Sequence, residues 1–75
     1  MLKDEDGKTI FAKRLEELRT RQGQSRIVVS ELCGLQPDAI RRYERGEALP
    51  SVESLIAIAD YFCVSVDYLI GRTNH

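Results

Sequence analysis

The sequence predicts an all-α protein built from five short helices, and three observations favour this fold class. Apolar residues recur with the 3.6-residue period of an amphipathic helix, capping residues precede most of the periodic segments, and glycines follow most of them. The strongest strand signal is the β-branched run at 27–29, but it lies between a cap and a glycine that are separated by only eight residues. We therefore expect one domain over residues 9–71, with a poorly ordered N-terminal arm at 1–8 and a C-terminal tail at 72–75.

The first two helices are predicted close together in sequence. The first covers residues 9–22, and its apolar positions follow the i, i+4 and i+7 spacing of one helix face. These positions are Phe11, Leu15 and Leu18. Gly23 supplies the left-handed residue that commonly ends a helix. The second helix covers residues 26–33, begins after the N-cap Ser25 and stops at Gly34.

The third helix is predicted over residues 37–45. Pro37 suits the first helical position, where its missing N–H leaves nothing unpaired, and Asp38 suits the positive end of the helix dipole. With the turn at Gly34, the second and third helices form a helix-turn-helix unit that projects the third helix from the body. A helix about 10 Å across can enter the major groove of DNA. Such helix pairs also occur as plain packing, and that alternative stays open.

The last two helices follow a loop that ends at Pro50. Ser51 caps the fourth helix, whose inner positions follow the helical period. These positions are Leu55, Ile58, Ala59 and Phe62. Ser65 caps the fifth helix, predicted at 66–70, and Gly71 ends it.

Charge is unevenly distributed along the chain. The net charge of −1 by itself argues against a nucleic-acid partner. Residues 8–46, however, carry nine basic and five acidic side chains, so the acidic excess lies elsewhere. This polarity allows a positive face toward a polyanion, although mixed charges that merely solvate helix surfaces are the alternative.

Residues 11–71 carry several motifs that match a known pattern. They include Arg14-Leu15-Glu16-Glu17-Leu18-Arg19, Gly23-Gln24-Ser25, Arg42-Tyr43-Glu44-Arg45-Gly46, Leu49-Pro50-Ser51 and Val64-Ser65-Val66-Asp67-Tyr68-Leu69. On these residues the chain resembles the phage-repressor type of helix-turn-helix domain, also called Cro-like or Xre-like. The resemblance implies a compact five-helix bundle of the lambda-repressor type with a central helix-turn-helix. It also implies sequence-specific binding of double-stranded DNA as a homodimer and regulation of transcription, which we expect to be repression.

The resemblance assigns base contacts to the start of the third helix and to the position one turn later. Pro37, Asp38 and Arg42 hold these positions, with Gln36 and Arg41 at the edges. Arg42 can bond guanine O6 and N7 together, whereas Pro37 offers only apolar contact, for example to a thymine methyl group. Asp38 is repelled by phosphates but can accept a hydrogen bond from cytosine N4. The alternative for Pro37 and Asp38 is that they merely begin the helix.

Phosphate contacts are assigned to both helices of the unit. Ser25 and Arg26 begin the second helix, and Arg26 stands where the family usually has glutamine. Arg45 lies where the family places a phosphate contact, and its alternative is a surface cation at a helix C-terminus. For Tyr43 two roles stay open, a core position with its hydroxyl at the surface and a phosphate contact. The resemblance also pairs Arg19 with Glu44 as a structural ion pair.

Two apolar groups have alternative roles. A homodimer interface is expected at the fifth helix, with intramolecular core as the alternative. Its residues are Val64, Val66, Tyr68 and Ile70. The other group, Ile27, Val28 and Leu32, lies where the family commonly carries charge. We expect it to pack on segment 1–10, and an exposed patch for a partner is the alternative.

Several function classes are disfavoured. His75 is the only histidine, and no nucleophile–base pair, phosphate loop or metal-ligand set stands out, so we expect no enzyme, cofactor, metal or small-molecule ligand. Without a secretion signal or a membrane span we expect a cytoplasmic protein with Cys33 and Cys63 as free thiols. The second functional hypothesis is a protein-interaction module that keeps the fold and has lost DNA binding. It is motivated by Pro37, Asp38 and the apolar group on the second helix.

Overall fold

A computed structural model describes residues 9–74, and within this range the chain forms five helices. They are α1 (Ile10–Arg21), α2 (Arg26–Leu32), α3 (Ala39–Glu44), α4 (Val52–Phe62) and α5 (Val66–Ile70). The predicted all-α class is confirmed. The predicted arm at 1–8 lies outside the described residues, as does His75.

Hydroxyl side chains begin four of the five helices. Each accepts a hydrogen bond from a backbone N–H three residues later, which satisfies one of the otherwise unpaired donors of the first turn. The bonds run from Ala12 to Thr9, from Val28 to Ser25, from Ser54 to Ser51 and from Tyr68 to Ser65, at 3.0–3.1 Å. The predicted caps at Ser25, Ser51 and Ser65 are confirmed, since each bond is formed.

The third helix begins later than the sequence predicted. Pro37 and Asp38 form a turn before α3, so the prediction that Pro37 is the first helical residue was wrong. Asp38 has φ −97° and ψ 4°, and its carboxylate makes no capping bond. The hydroxyl of Ser30 on α2 instead accepts from the N–H of Ile40 at 3.1 Å, with both residues fully buried. A buried hydroxyl from the preceding helix thus supplies the cap of α3, which covers Ala39–Glu44.

The core collects apolar side chains from all five helices. Six of them are completely buried: Phe11, Leu15, Val29, Ile40, Ile58 and Leu69. Burying a side chain of this size stabilises a fold by about 1.5–3 kcal/mol relative to leaving it in water. Tyr43 is half-buried at the edge of this core, and its ring meets that of Phe11 edge-on at 5.8 Å.

Arg14 ties the end of the chain to α1. Its guanidinium donates to the backbone carbonyls of Tyr68 and Thr73, the latter at 2.6 Å, and lies 4.3 Å from the centre of the Tyr68 ring. Nη2 also reaches the side-chain oxygen of Asn74 at 3.4 Å. The described part of the predicted tail, residues 72–74, is therefore held on the body of the domain.

The end of α4 has an unusual backbone conformation. Cys63 ends α4 with φ 57° and ψ 40°, a left-handed conformation that costs a residue with a Cβ about 1–2 kcal/mol.

Over the described part of the chain, no helix has the length and apolar character that crossing a membrane requires.

Candidate nucleic-acid interface

The outer face of α3 is exposed and rich in arginine. Ile40 and Glu44 point into the body and are buried, whereas Arg41 and Arg42 are exposed, as is Arg45 directly after the helix. Arg45 follows Arg41 by four residues and Arg42 by three, so the three cations form a broad stripe, with Arg41 along one side of the outer face and Arg42 along the other. The stripe can therefore meet a flat or convex polyanion without any rearrangement of the core.

Two concavities adjoin this helix. The first, which we call the α2–α3 cavity, has a volume of about 530 Å³ and is lined by Arg19, Ser25, Arg26, Ile27, Pro37, Asp38 and Arg41. The second, the α3–α4 cavity, has a volume of about 300 Å³, and its lining includes Gln36, Asp38, Arg42, Tyr43 and Ser54. The start of α3 thus stands between two hollows, so its side chains are accessible from both sides.

The five residues predicted to contact bases all lie around these hollows and are exposed. Pro37 and Arg41 line the α2–α3 cavity, Gln36 and Arg42 line the α3–α4 cavity, and Asp38 lines both. Arg41 Nη2 lies 4.0 Å from Asp38 Oδ2. Among the described residues Arg42 has no ion-pair partner, so its guanidinium needs no exchange of partner to bond a ligand.

The residues predicted to contact phosphates differ in their exposure and in the partners that they already have. Ser25 is exposed and its hydroxyl caps α2, whereas Tyr43 is half-buried. Arg45 Nε lies 3.0 Å from Glu47 Oε2 in an exposed pair. Arg26 Nε donates to Glu44 Oε1 at 2.9 Å, and its side chain is 44% exposed. Arg26 is therefore fixed in direction, yet half of it still faces solvent.

Glu44 is the centre of a buried ion cluster. Arg19 donates from Nε to Oε2 at 2.7 Å and from Nη2 to Oε1 at 3.0 Å, and the carboxylate is only 1% exposed. Arg19 Nη1 also donates to the Gln24 carbonyl at 2.9 Å. The hydrogen bonds to Glu44 raise the pKa of Arg19 above its already high ordinary value. Arg26 completes the cluster, which ties α1 and the start of α2 to α3.

The structure brings Arg19 and Glu44 together as the sequence analysis expected of the pair, but the participation of Arg26 was missed. A sequence signal existed, because an arginine replaces the family's usual glutamine one residue after the cap. That signal was interpreted only as extra charge for phosphate. An arginine that lies 18 residues before a buried glutamate forms no local sequence pattern with it, so only the packing of α2 against α3 reveals the contact.

The residues predicted for a dimer interface are all partly buried. Val64 and Val66 pack against the core, and the Tyr68 ring lies beneath Arg14. Ile70 is half-buried as well. More exposed apolar residues, which the sequence analysis did not single out, occur on the loop before α4 and on its outer face. They are Leu49, Val52 and Ile56.

The apolar group on α2 remains uncovered by the described residues. All three of its side chains are exposed: Ile27, Val28 and Leu32. This agrees with the alternative that the group forms an exposed patch for a partner. The expected packing on segment 1–10 depends mainly on residues 1–8, which lie outside the described residues. Of these three side chains, only Ile27 lines the α2–α3 cavity.

Neither cysteine is paired, and burial raises the pKa of the half-buried Cys33 thiol. Across residues 9–74 there is no group of three metal-ligating side chains that could hold an ion. The arrangement offers cations, an apolar side chain and polar side chains on one exposed surface. Such a surface can bind a ligand through charged, polar and apolar contacts together.

Comparison with known proteins places this arrangement in a family. The model of the "Helix-turn-helix domain" family matches residues 10–69. The transcriptional repressor RstR of a cryptic phage of Vibrio cholerae is 33% identical over 80% of this chain and 54% of its own length. The regulator AnsR of Bacillus subtilis is 37% identical over 79% of this chain and 51% of its own. The chain thus spans about half the length of these curated relatives.

Solved structures share the fold. The P22 c2 repressor, solved in complex with a synthetic operator, superposes with a TM-score of 0.76 at 27% identity, covering 80% of this chain and 91% of that one. The fold also forms part of an enzyme, the hydroxypropylphosphonic acid epoxidase of S. wedmorenis, with a TM-score of 0.72 at 25% identity. There the match covers 83% of this chain but 33% of the epoxidase. The resemblance to phage repressors is confirmed, and this chain belongs to the helix-turn-helix domain family.

Proposed function

We propose that this chain binds double-stranded DNA sequence-specifically and regulates transcription as a repressor. The turn and helix at 37–45 would enter the major groove. The observation that carries the proposal is the arginine stripe on the exposed face of α3, which stands between two hollows. A family of repressors and regulators supports it, and one of these proteins has been solved in complex with a synthetic operator. No catalytic step forms part of the proposal.

The cationic side chains have different roles in this proposal. Arg42, without an ion-pair partner among the described residues, bonds guanine O6 and N7. Arg45 contacts a phosphate, because its exposed pair with Glu47 costs little to exchange. Arg26 offers its exposed half to a phosphate while Glu44 holds its Nε. The buried cluster around Glu44 fixes the spacing between these phosphate and base contacts.

The proposed active form is a homodimer on a partly palindromic site. Two copies would place their reading helices about 34 Å apart, one turn of DNA. The partly exposed surface at and before α5 supplies the interface in this proposal. Analytical ultracentrifugation with and without DNA tests this part separately, and a strictly monomeric complex on a palindromic site would contradict it.

The second candidate function is a protein-interaction module. The exposed apolar group Ile27, Val28 and Leu32 favours it, together with the carboxylate of Asp38 at the centre of the α3 surface. Such a module would bind no duplex at any salt concentration. A DNA-binding domain would instead show weak affinity for random duplex that falls steeply with salt.

The test begins with selection of bound sequences from random DNA, followed by fluorescence anisotropy on a selected and a random duplex. Arg42→Ala is expected to weaken binding to the selected duplex by about 1–3 kcal/mol and to relax the preference at one base pair. Arg45→Ala is expected to weaken binding to both duplexes and to reduce the salt slope by about one. Equal effects of the two substitutions on both duplexes would contradict the assigned roles. Absence of salt-dependent binding to any duplex would contradict the function itself.

A further inference from the structure

The α2–α3 cavity combines an apolar surface with a cationic rim. Ile27 is 58% exposed although it lies inside α2, and it faces the cavity together with Pro37. Arg26 and Arg41 border the same hollow. An exposed isoleucine in a domain this small contributes nothing to the core, so its place at the mouth of a charged hollow suggests a binding role.

The position of this cavity determines what it would meet. One wall carries Ser25 and Arg26, which we assign to phosphate, and the other carries Pro37, Asp38 and Arg41, which we assign to bases. The hollow therefore lies between the backbone and the base edges of a bound duplex. The major-groove edges of the bases are polar except for one group, the methyl group on C5 of thymine.

We propose that Ile27, with Pro37, reads the C5 methyl group of one thymine in each half of the binding site. This inference rests on the proposed DNA binding and deepens it, because it makes an α2 residue a determinant of base preference. The charge pattern supports a duplex as the occupant. Arg26 would lie beside a phosphate and Arg41 beside a base edge, while the apolar pair excludes water from the methyl group.

The expected effect is modest and measurable. Removing one buried methyl group costs about a fourfold loss of affinity. Deoxyuridine lacks only this methyl group and keeps the hydrogen-bonding edge of thymine. Replacing thymines one at a time by deoxyuridine in the selected duplex should therefore weaken binding of the wild-type chain about fourfold at one position per half-site, and little elsewhere.

Substitutions in the full chain test whether Ile27 causes the difference in affinity between thymine and deoxyuridine. Ile27→Ala should bring the difference between the thymine and deoxyuridine duplexes at that position well below fourfold, because only Pro37 then contacts the methyl group, whereas the conservative Ile27→Val should keep most of the difference. Leu32→Ala is the matched control, because Leu32 is 61% exposed on the same helix but does not line the cavity. It should retain the fourfold difference. Circular dichroism of each variant checks that the helices are intact.

The outcomes separate this inference from the function on which it rests. If the wild-type chain binds its selected duplex in a salt-dependent way but no deoxyuridine weakens it, methyl reading is overturned and DNA binding stands. The same conclusion follows if Ile27→Ala keeps the full sensitivity, or if Leu32→Ala loses it as completely as Ile27→Ala does. If no duplex is bound at low salt, the inference and the proposed function both fail.

Discussion

Replacing Glu44 by glutamine is expected to remove a large part of the stability of this domain. The carboxylate accepts two hydrogen bonds from Arg19 and one from Arg26 while being only 1% exposed. Glutamine keeps the size of the side chain, but it has one acceptor oxygen and no charge. The substitution would leave the largely buried Arg19 without the carboxylate that it bonds and facing an amide donor, with only the exposed Glu16 as a nearby negative charge.

The magnitude follows from the burial of the two partners. Removing one member of a buried ion pair costs about 3–5 kcal/mol. Arg26 is half exposed and can turn to water, so most of the loss comes from Arg19, and we expect about 3 kcal/mol. A domain of 75 residues has a total stability of about 4–11 kcal/mol. The midpoint of urea unfolding, followed by circular dichroism, should fall by about 3 M for an m-value of about 1 kcal/mol/M.

Arg45→Gln is the matched control because it removes an exposed ion pair just after the same helix. Arg45 Nε lies 3.0 Å from Glu47 with both side chains in solvent, so the loss should stay below about 1 kcal/mol. A midpoint for Glu44→Gln equal to that of Arg45→Gln would refute the reasoning, since the burial of the Glu44 cluster would then have no energetic consequence.

Further predictions concern two glycines and the two cysteines. Gly71→Ala should destabilise the domain more than Gly46→Ala. Both glycines have a positive φ, so alanine is strained at either position. At Gly71 the new Cβ would in addition lie only 2.9 Å from Ile10 Cδ1, whereas nothing lies within 4 Å of a new Cβ at Gly46. We expect about 1 kcal/mol at Gly46 and at least 1 kcal/mol more at Gly71, and equal urea midpoints would contradict this. Cys63→Gly should stabilise the domain by about 0.5–1 kcal/mol, because Cys63 has a φ of 57° that glycine adopts without strain. A lower midpoint of urea unfolding for this variant would show that Cys63 is not strained. Cys63 should react with iodoacetamide faster than Cys33, whose pKa is raised by burial, and equal rates in peptide mapping would count against that difference.

Most helix boundaries follow from local sequence. The caps at Ser25, Ser51 and Ser65 and the glycines after the helices act within one helical turn, so the residues themselves contain the signal. Predicted and observed bounds of α1, α2 and α5 accordingly differ by at most one residue at either end. The core-facing residues follow the same logic, since the helical period alone identifies Phe11 and Leu15 as inner positions.

The features that the sequence did not reveal depend on contacts between distant residues. The start of α3 is set by Ser30, a residue of the preceding helix, and not by the local pattern of Pro37 and Asp38. Arg26 reaches Glu44 across 18 residues. The sequence alone does not distinguish Ile27 from the other exposed apolar residues of α2. Only the angle between α2 and α3 determines which of these side chains faces the α2–α3 cavity.

The central claim is that the start of α2 and the face of α3 form a DNA-binding surface. Titration of the ¹⁵N-labelled chain with the selected duplex, followed by NMR, tests it residue by residue. Amide shifts should concentrate at residues 25–27 and 36–46 and weaken as salt is raised. Shifts confined to the outer side of α1 or to α4, with residues 36–46 unchanged at saturating duplex, would contradict the account.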